Sequence, residues 1–125
     1  MAPLHIIQLG LPADYSGFDE EAQKWVKGLL EKGEQKMEAA GHKYLTFNVV
    51  PDTGVEKLTL YLKENQIDGA VIGFGIRREA NLAHFMEQLI DTVRTHAPKA
   101  KIMFNTSPDS SLEAVQRWFP EGTTK

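Results

Sequence analysis

Two glycines and two arginines stand close together in one segment, Gly73-Phe74-Gly75-Ile76-Arg77-Arg78. Glycine lets a backbone approach a ligand closely, and the amides that open a following helix carry partial positive charge. Arginine adds a fixed charge and a planar fork that suits a carboxylate or a phosphate. The segment therefore predicts that Gly73, Gly75, Arg77 and Arg78 bind a small anion. The alternative is that the glycines serve only the turn and that both arginines are solvated, because a Gly-x-Gly pair is a weak motif.

A second polar segment, Asn105-Thr106-Ser107-Pro108, follows an apolar run and precedes a helix-like one. We expect Asn105 and Thr106 to donate hydrogen bonds to a substrate oxygen and so to polarise a carbonyl group. Stabilisation of the loop is the alternative role for both. Ser107 is grouped with the ligand-binding residues, although a role as helix cap, with Pro108 at the first helical position, explains it by itself.

Asp14 and Tyr15 are the candidates for moving a proton. The carboxylate would act as a base and the phenol as a donor, but aspartate is also common in turns. A solvated aspartate has a pKa of about 3.9, so Asp14 would need an enclosed pocket to act as an efficient base at neutral pH.

Other residue types exclude several chemistries. The chain has no cysteine, which excludes a disulfide scaffold, a thiol nucleophile and a thiolate metal site. The histidines His5, His42, His84 and His96 map away from the other candidates, which argues against a Ser-His-Asp hydrolase. The sequence contains neither a Gly-x-x-x-x-Gly-Lys loop nor a His-Glu-x-x-His helix. We therefore expect no cofactor and no metal site.

The length and charge of the chain favour one domain. It has 125 residues with a net charge of −3, and we expect a single α/β domain over 1–119 and a polar tail over 120–125. A basic surface for nucleic acid is missing, and no stretch approaches the roughly 20 apolar residues of a membrane span. Since no charged leader precedes an apolar run at the N-terminus, the prediction is a cytoplasmic protein that binds neither nucleic acid nor membrane.

Four short apolar runs alternate with helix-like segments, which is typical of a parallel sheet covered by helices. The predicted helices follow apolar spacings of three and four, Trp25 being one such position in the first, and they use Gly41 as a stop and Thr53-x-x-Glu56 as a capping box. The predicted strands are 5–9, 44–50, 69–74 and 101–105, and the predicted helices are 18–40, 53–65, 79–97 and 108–118.

Right-handed crossovers leave few arrangements of these elements. The first and third strands contain continuous apolar runs, which suits the centre of the sheet. The predicted fold is therefore an α/β three-layer sandwich with a short four-stranded parallel sheet of order 2-1-3-4, as in flavodoxin-like proteins. Ligands in such sheets bind beyond the carboxyl ends of the strands, where the winding reverses. Here that reversal lies between the first and third strands, beside the candidate residues.

The segments 70–77 (AVIGFGIR) and 97–108 (APKAKIMFNTSP) resemble a group of uncharacterised small single-domain α/β proteins of bacteria and fungi. The likeness covers most of the chain, up to Phe119, and the two segments are its specific parts. The resemblance implies the flavodoxin-like fold and adds no catalytic residue.

Two functional hypotheses follow from these residues. The preferred one is a cofactor-independent lyase, isomerase or hydrolase that acts on a carboxylate- or phosphate-bearing metabolite. The alternative is a module that binds a small anion or a protein partner without turnover. Trp118 and Phe119 come late in the chain. They could cover a neighbouring subunit in a homodimer, or fold back onto their own core.

Overall fold

A four-stranded parallel sheet forms the centre of the protein, which we describe from a computed structural model covering residues 3–12, 14–15 and 19–120. The order β2-β1-β3-β4 confirms the predicted α/β three-layer arrangement. Strand ends differ from the predicted ones by one or two residues. The strands are β1 (His5–Gly10), β2 (Lys43–Asn48), β3 (Gly69–Ile72) and β4 (Lys101–Phe104).

Helices cover both faces of the sheet. They are α1 (Glu20–Ala39), α2 (Gly54–Glu64), α3 (Phe74–Arg77), α4 (Ala83–His96) and α5 (Ser111–Trp118), with a 3-10 turn at Ala80–Leu82. Helices α2 and α4 pack against each other on one face, and α1 and α5 contact each other on the opposite face.

The two faces of the sheet differ in polarity. Because side chains alternate along a strand, Ile7 and Leu9 join the large apolar core below α2 and α4. Ile6 joins a smaller core below α1 and α5, which contains Met37 of α1. The next residue on that second face is Gln8, buried inside the sheet. The carboxyl half of the α1/α5 face is therefore more polar than its amino half.

The first helix has close to its predicted extent. It begins at Glu20, and Asp19 caps it by accepting a hydrogen bond from the amide of Ala22 at 2.8 Å. The predicted start at Phe18 lies outside the described residues. The helix ends before Gly41, whose φ of 86° confirms the predicted left-handed stop.

The predicted capping box of the second helix is wrong. Within the described residues the Thr53 side chain makes no capping hydrogen bond, and the helix begins at Gly54. The amides of Thr53 and Gly54 both donate to the carbonyl of Val50. That turn gives Thr53 a ψ of −6° instead of the extended conformation that aims a hydroxyl at the first helical amides.

The predicted third helix, 79–97, corresponds to the 3-10 turn at Ala80–Leu82 followed by α4, and an additional helical turn, α3, precedes it. Helix α3 begins directly after Gly73, and Ile76, which is fully buried, anchors it to the core. Glu79 is extended (φ −93°, ψ 115°), and this interrupts the helix before the 3-10 turn and α4. The segment expected to be a loop with two arginines is thus a single helical turn.

The predicted cap of the last helix is also wrong. Ser107 does not cap it; α5 begins at Ser111, and residues 106–110 form a tight turn before it. The hydroxyl of Ser110 holds this turn by accepting hydrogen bonds from the amides of Thr106 and Ser107 at 2.9 and 3.0 Å.

The aromatic residues at the end of the last helix take different positions. Phe119 packs against the smaller core, whereas Trp118 is exposed and lies beneath the ammonium group of Lys101, 5.5 Å from the ring centre.

Candidate functional site

The two predicted loops lie side by side at the carboxyl ends of β3 and β4. The amide of Phe74 donates a hydrogen bond of 3.0 Å to Oδ1 of Asn105. Asn105 is buried, and this partly buried bond holds the start of α3 against the end of β4.

A cavity of about 290 Å³ opens beside this contact, between the polar half of the α1/α5 face and α1. Its floor is formed by strand residues, its rim by the loops after β1, β3 and β4, and its outer wall by α1. The floor residues are Gln8, Gly10, Thr46 and Asn48; the rim residues are Leu11, Pro12, Gly73, Phe74, Gly75, Arg78, Asn105, Thr106, Ser107 and Pro108; the wall residues are Trp25, Val26 and Leu30.

Three glycines border the cavity for different reasons. A Cβ atom on Gly73 would lie 2.9 Å from the carbonyl oxygen of Leu9, so the approach of β1 to β3 requires glycine there. Apart from its neighbours along the chain, a Cβ atom on Gly10 or on Gly75 would meet no described atom within 4 Å. Gly10 and Gly75 therefore leave open space that a ligand can occupy.

The different surroundings of Gly73 and Gly75 predict that alanine is destabilising at the first position and tolerated at the second. Gly73→Ala should destabilise the protein by about 1–3 kcal/mol, because the carbonyl it meets belongs to a buried strand. Gly75→Ala should change the free energy of unfolding by less than about 0.5 kcal/mol. Urea unfolding of both variants measures this difference, and equal stabilities would contradict the close approach at Gly73.

Arg77 is bound to the protein backbone and is not among the described residues that line the cavity. Its Nε donates to the carbonyl of Ile72 at 3.3 Å, and its Nη2 donates to the carbonyl of Asn105. The guanidinium lies 5.4 and 5.0 Å from the ring centres of Phe74 and Phe104. Burial lowers the pKa of Arg77. Its side chain joins the ends of β3 and β4.

Arg78 is the cation that lines the cavity within the described part of the chain. Its Nε lies 3.2 Å from Oε2 of Glu79, and both side chains are about half exposed. An exposed pair of this kind contributes little to stability, so Arg78 is free to exchange Glu79 for another anion.

Asp14 and Tyr15 are not among the described residues that line the cavity. Both are exposed, and the amide of Tyr15 donates to the carbonyl of Pro12 in a turn. Asp14 lines a second, open cleft that runs along α1 past Glu31 and Glu34. Within the described residues, the cavity lining contains neither a carboxylate nor an imidazole.

Asn105 belongs to a buried polar network that sequence reasoning did not identify. Its Nδ2 donates to Oγ of Ser111 at 3.3 Å. The hydroxyls of Ser111 and Tyr44 both donate to Oε1 of Gln8. Burial raises the pKa of Tyr44 to about 12, so its phenol stays protonated at neutral pH. The signal for this network was a glutamine within the apolar run of the first strand.

The other polar residues of the β4 loop serve the turn or face the solvent. Ser107 Oγ donates to a carboxylate oxygen of Asp109 at 2.7 Å, and this bond lowers the pKa of Asp109. The Thr106 side chain is exposed at the rim, within 3.4 Å of the Ser110 hydroxyl.

The histidines lie away from the cavity in the described structure. His5 contacts the carbonyl of Gln66 and the hydroxyl of Tyr61, His42 is buried near the start of β1, and His84 is exposed beside Glu87. His96 ends α4.

His42 predicts a pH dependence of stability. Its Nδ1 accepts a hydrogen bond from the amide of Leu4 at 3.2 Å, and burial lowers its pKa below 6.5. The unfolded chain then binds a proton at His42 more readily than the folded protein does. The contribution of neutral His42 to the free energy of unfolding is therefore complete above about pH 6.5 and declines as the pH falls below that value. Urea unfolding from pH 8 to pH 5 measures the decline. His42→Asn, which keeps an acceptor that does not titrate, should flatten it; an unchanged profile would contradict this role.

Comparison with known proteins finds no family model that matches the chain and no significant match among curated proteins. No helix in the described ranges is long and apolar enough to cross a membrane. The described residues also include no group of three or more histidines or carboxylates placed to hold a metal ion.

Proposed function

We propose that the cavity binds a small molecule with an apolar, preferably aromatic, body and a carboxylate or phosphate group. The observation that carries this proposal is the combination of open space above Gly10 with a cation, Arg78, at the rim. The cavity volume of about 290 Å³ is near the lower end of the range for small-molecule sites.

The aromatic residues that line the cavity support an apolar body. Trp25 is 68% exposed and Phe74 is 43% exposed, and both line the cavity. Large aromatic side chains that are exposed at a concave surface commonly mark a binding site. An aromatic ligand would cover their faces and recover apolar burial that the free protein lacks.

The rim supports an anionic group. Arg78 supplies the charge, and Gly75, Thr106 and Ser107 border the same opening. Arg77 takes a different role in this proposal: its bonds to two backbone carbonyls position the rim, and it does not touch the ligand.

Turnover of the bound molecule is the second candidate function. The observation that favours it is the Asn105 amide, held rigidly beside the cavity, where it could polarise a carbonyl together with Thr106. A lyase, isomerase or hydrolase would also need a proton carrier from the Asp14-Tyr15 loop. Binding without turnover is the simpler proposal because Asp14 lines the neighbouring cleft.

Titration calorimetry with 4-acetylbenzoate tests the binding proposal. We expect Arg78→Gln to weaken binding about tenfold, the loss expected for one charge-assisted contact. Arg94→Gln is the matched control, because Arg94 is exposed on α4, across the sheet from the cavity. Absence of binding, or equal affinities of the two variants, would contradict the proposed site. NMR spectra of the bound compound over time would detect any turnover.

A further inference from the structure

Gln8 lies at the floor of the cavity, and the protein fixes which end of its amide faces the open space. It occupies the middle of β1 and is only 3% exposed. A buried glutamine that lacks hydrogen bonds is costly, so the partners of its two amide atoms decide what the cavity can accept.

A chain of hydrogen bonds starting from a backbone amide determines the orientation. The N–H of Phe74 can only donate, so the atom of Asn105 that faces it is the oxygen. The amide nitrogen of Asn105 is then the donor to Ser111 Oγ. The oxygen of Ser111 accepts that bond, and its hydroxyl donates a hydrogen bond to Gln8 Oε1.

The acceptor end of Gln8 is therefore occupied. Oε1 accepts from the hydroxyl of Ser111 and from that of Tyr44, whose oxygen also lies 3.3 Å from Ser111 Oγ, whereas Nε2 has no hydrogen-bond partner among the described residues. Thr46 is paired with Gln8 in the register of β1 and β2 and also lines the cavity. Its Oγ1 is buried near the Tyr44 hydroxyl and makes no well-formed hydrogen bond in the described part of the chain.

We propose that Gln8 Nε2 donates a hydrogen bond to a carbonyl-type oxygen at the inner end of the ligand, with Thr46 Oγ1 beside it. This inference rests on the proposed function and specifies its ligand further. The ligand is a carboxylate or phosphate with an aromatic or aliphatic body, and it carries an uncharged hydrogen-bond acceptor at the end away from the anionic group. A ligand without that acceptor would bury the amide hydrogens of Gln8 unpaired.

Two benzoates of equal size test this acceptor requirement. 4-Acetylbenzoate and 4-isopropylbenzoate have the same number of heavy atoms and differ in whether the group opposite the carboxylate contains an oxygen. We expect calorimetry to show that the wild-type protein binds the acetyl compound about tenfold more tightly, the difference made by one hydrogen bond and an avoided unpaired donor.

Gln8→Glu is the decisive variant. With binding measured at pH 8, which favours the ionised form, the carboxylate keeps an acceptor for Tyr44 and Ser111 but presents an oxygen to the cavity instead of an N–H. The preference for the acetyl compound should fall to about onefold or reverse. In the wild-type protein, the side-chain amide resonances of Gln8 should shift more with the acetyl than with the isopropyl compound, and this measurement does not depend on the folding of any variant.

The outcomes separate the two proposals. One outcome is that both benzoates bind equally well, that Arg78→Gln weakens both, and that the Gln8 amide resonances respond alike to the two compounds. This outcome would support the ligand site and overturn the role of Gln8. If neither compound binds, the proposed function fails and this inference fails with it.

Discussion

Gly10→Val should weaken the binding of 4-acetylbenzoate by up to about a hundredfold while the protein stays folded. A side chain at this position enters the open space of the cavity, where a Cβ atom meets no described atom within 4 Å. Forcing a ligand against added methyl groups costs up to about 3 kcal/mol, which corresponds to a loss of about a hundredfold. Calorimetric titration of the variant measures the loss.

The backbone at this position accepts valine. Gly41 is the only glycine with positive φ in the described residues, so residue 10 has a conformation open to other amino acids. Valine also suits a strand, and we expect the free energy of unfolding to be unchanged or higher. Gly28→Ala is the control, since it adds a methyl group on the exposed surface of α1 and should leave the affinity unchanged. Wild-type affinity in a folded Gly10→Val protein would place the ligand elsewhere.

Asn105→Ala should destabilise the protein by about 3 kcal/mol. The substitution removes the acceptor of the Phe74 amide and the donor to Ser111; the first bond is partly buried and the second is buried. Each buried group left without a partner costs about 1–3 kcal/mol. Urea unfolding of the variant measures the loss.

Thr106, the next residue in the chain, provides a comparison for the loss of stability. Thr106→Ala removes an exposed side chain from the same loop, and we expect a change within about 0.5 kcal/mol. If Asn105→Ala were as mild as Thr106→Ala, the Asn105 side chain would not be the link between the β3 and β4 loops. The orientation argued for Gln8 would then lose its starting point.

The strand order was predictable from hydrophobic patterning. Strands that are apolar throughout belong at the centre of the sheet, and right-handed crossovers then leave few possible orders. The four strands and the reversal between β1 and β3 agree with that expectation. The loops after β3 and β4 could be placed together on the same grounds, since the carboxyl ends of neighbouring parallel strands meet at one edge.

The distinction between Arg77 and Arg78 was not predictable from the sequence. Consecutive residues point about 100° apart on a helix, and α3 was expected to be a loop. Once residues 74–77 form a helical turn, one arginine lies over the ends of β3 and β4 and the next reaches the cavity. Ile76, which is fully buried in the large core, is the apolar residue of this segment that could have indicated the turn.

Trp25 and Gln8 show that hydrophobic periodicity can mispredict burial, since an apolar residue is exposed in one case and a polar residue is buried in the other. Trp25 fits the apolar spacing of α1, yet it is exposed at the cavity because the floor below it is formed by Gly10 and Thr46 and no core residue fills the space. Gln8 interrupts an apolar strand, yet it is buried because Tyr44 and Ser111 satisfy its oxygen. Both outcomes depend on residues distant in sequence, which a local pattern does not contain.

A crystal structure of the protein with 4-acetylbenzoate tests the central claim most directly. The account predicts the ring between Trp25 and Phe74, the carboxylate at Arg78, and the acetyl oxygen within about 3.2 Å of Gln8 Nε2. A compound bound in the cleft beside Asp14, or against Arg77 and Phe104, with the cavity above Gly10 left empty, would contradict it.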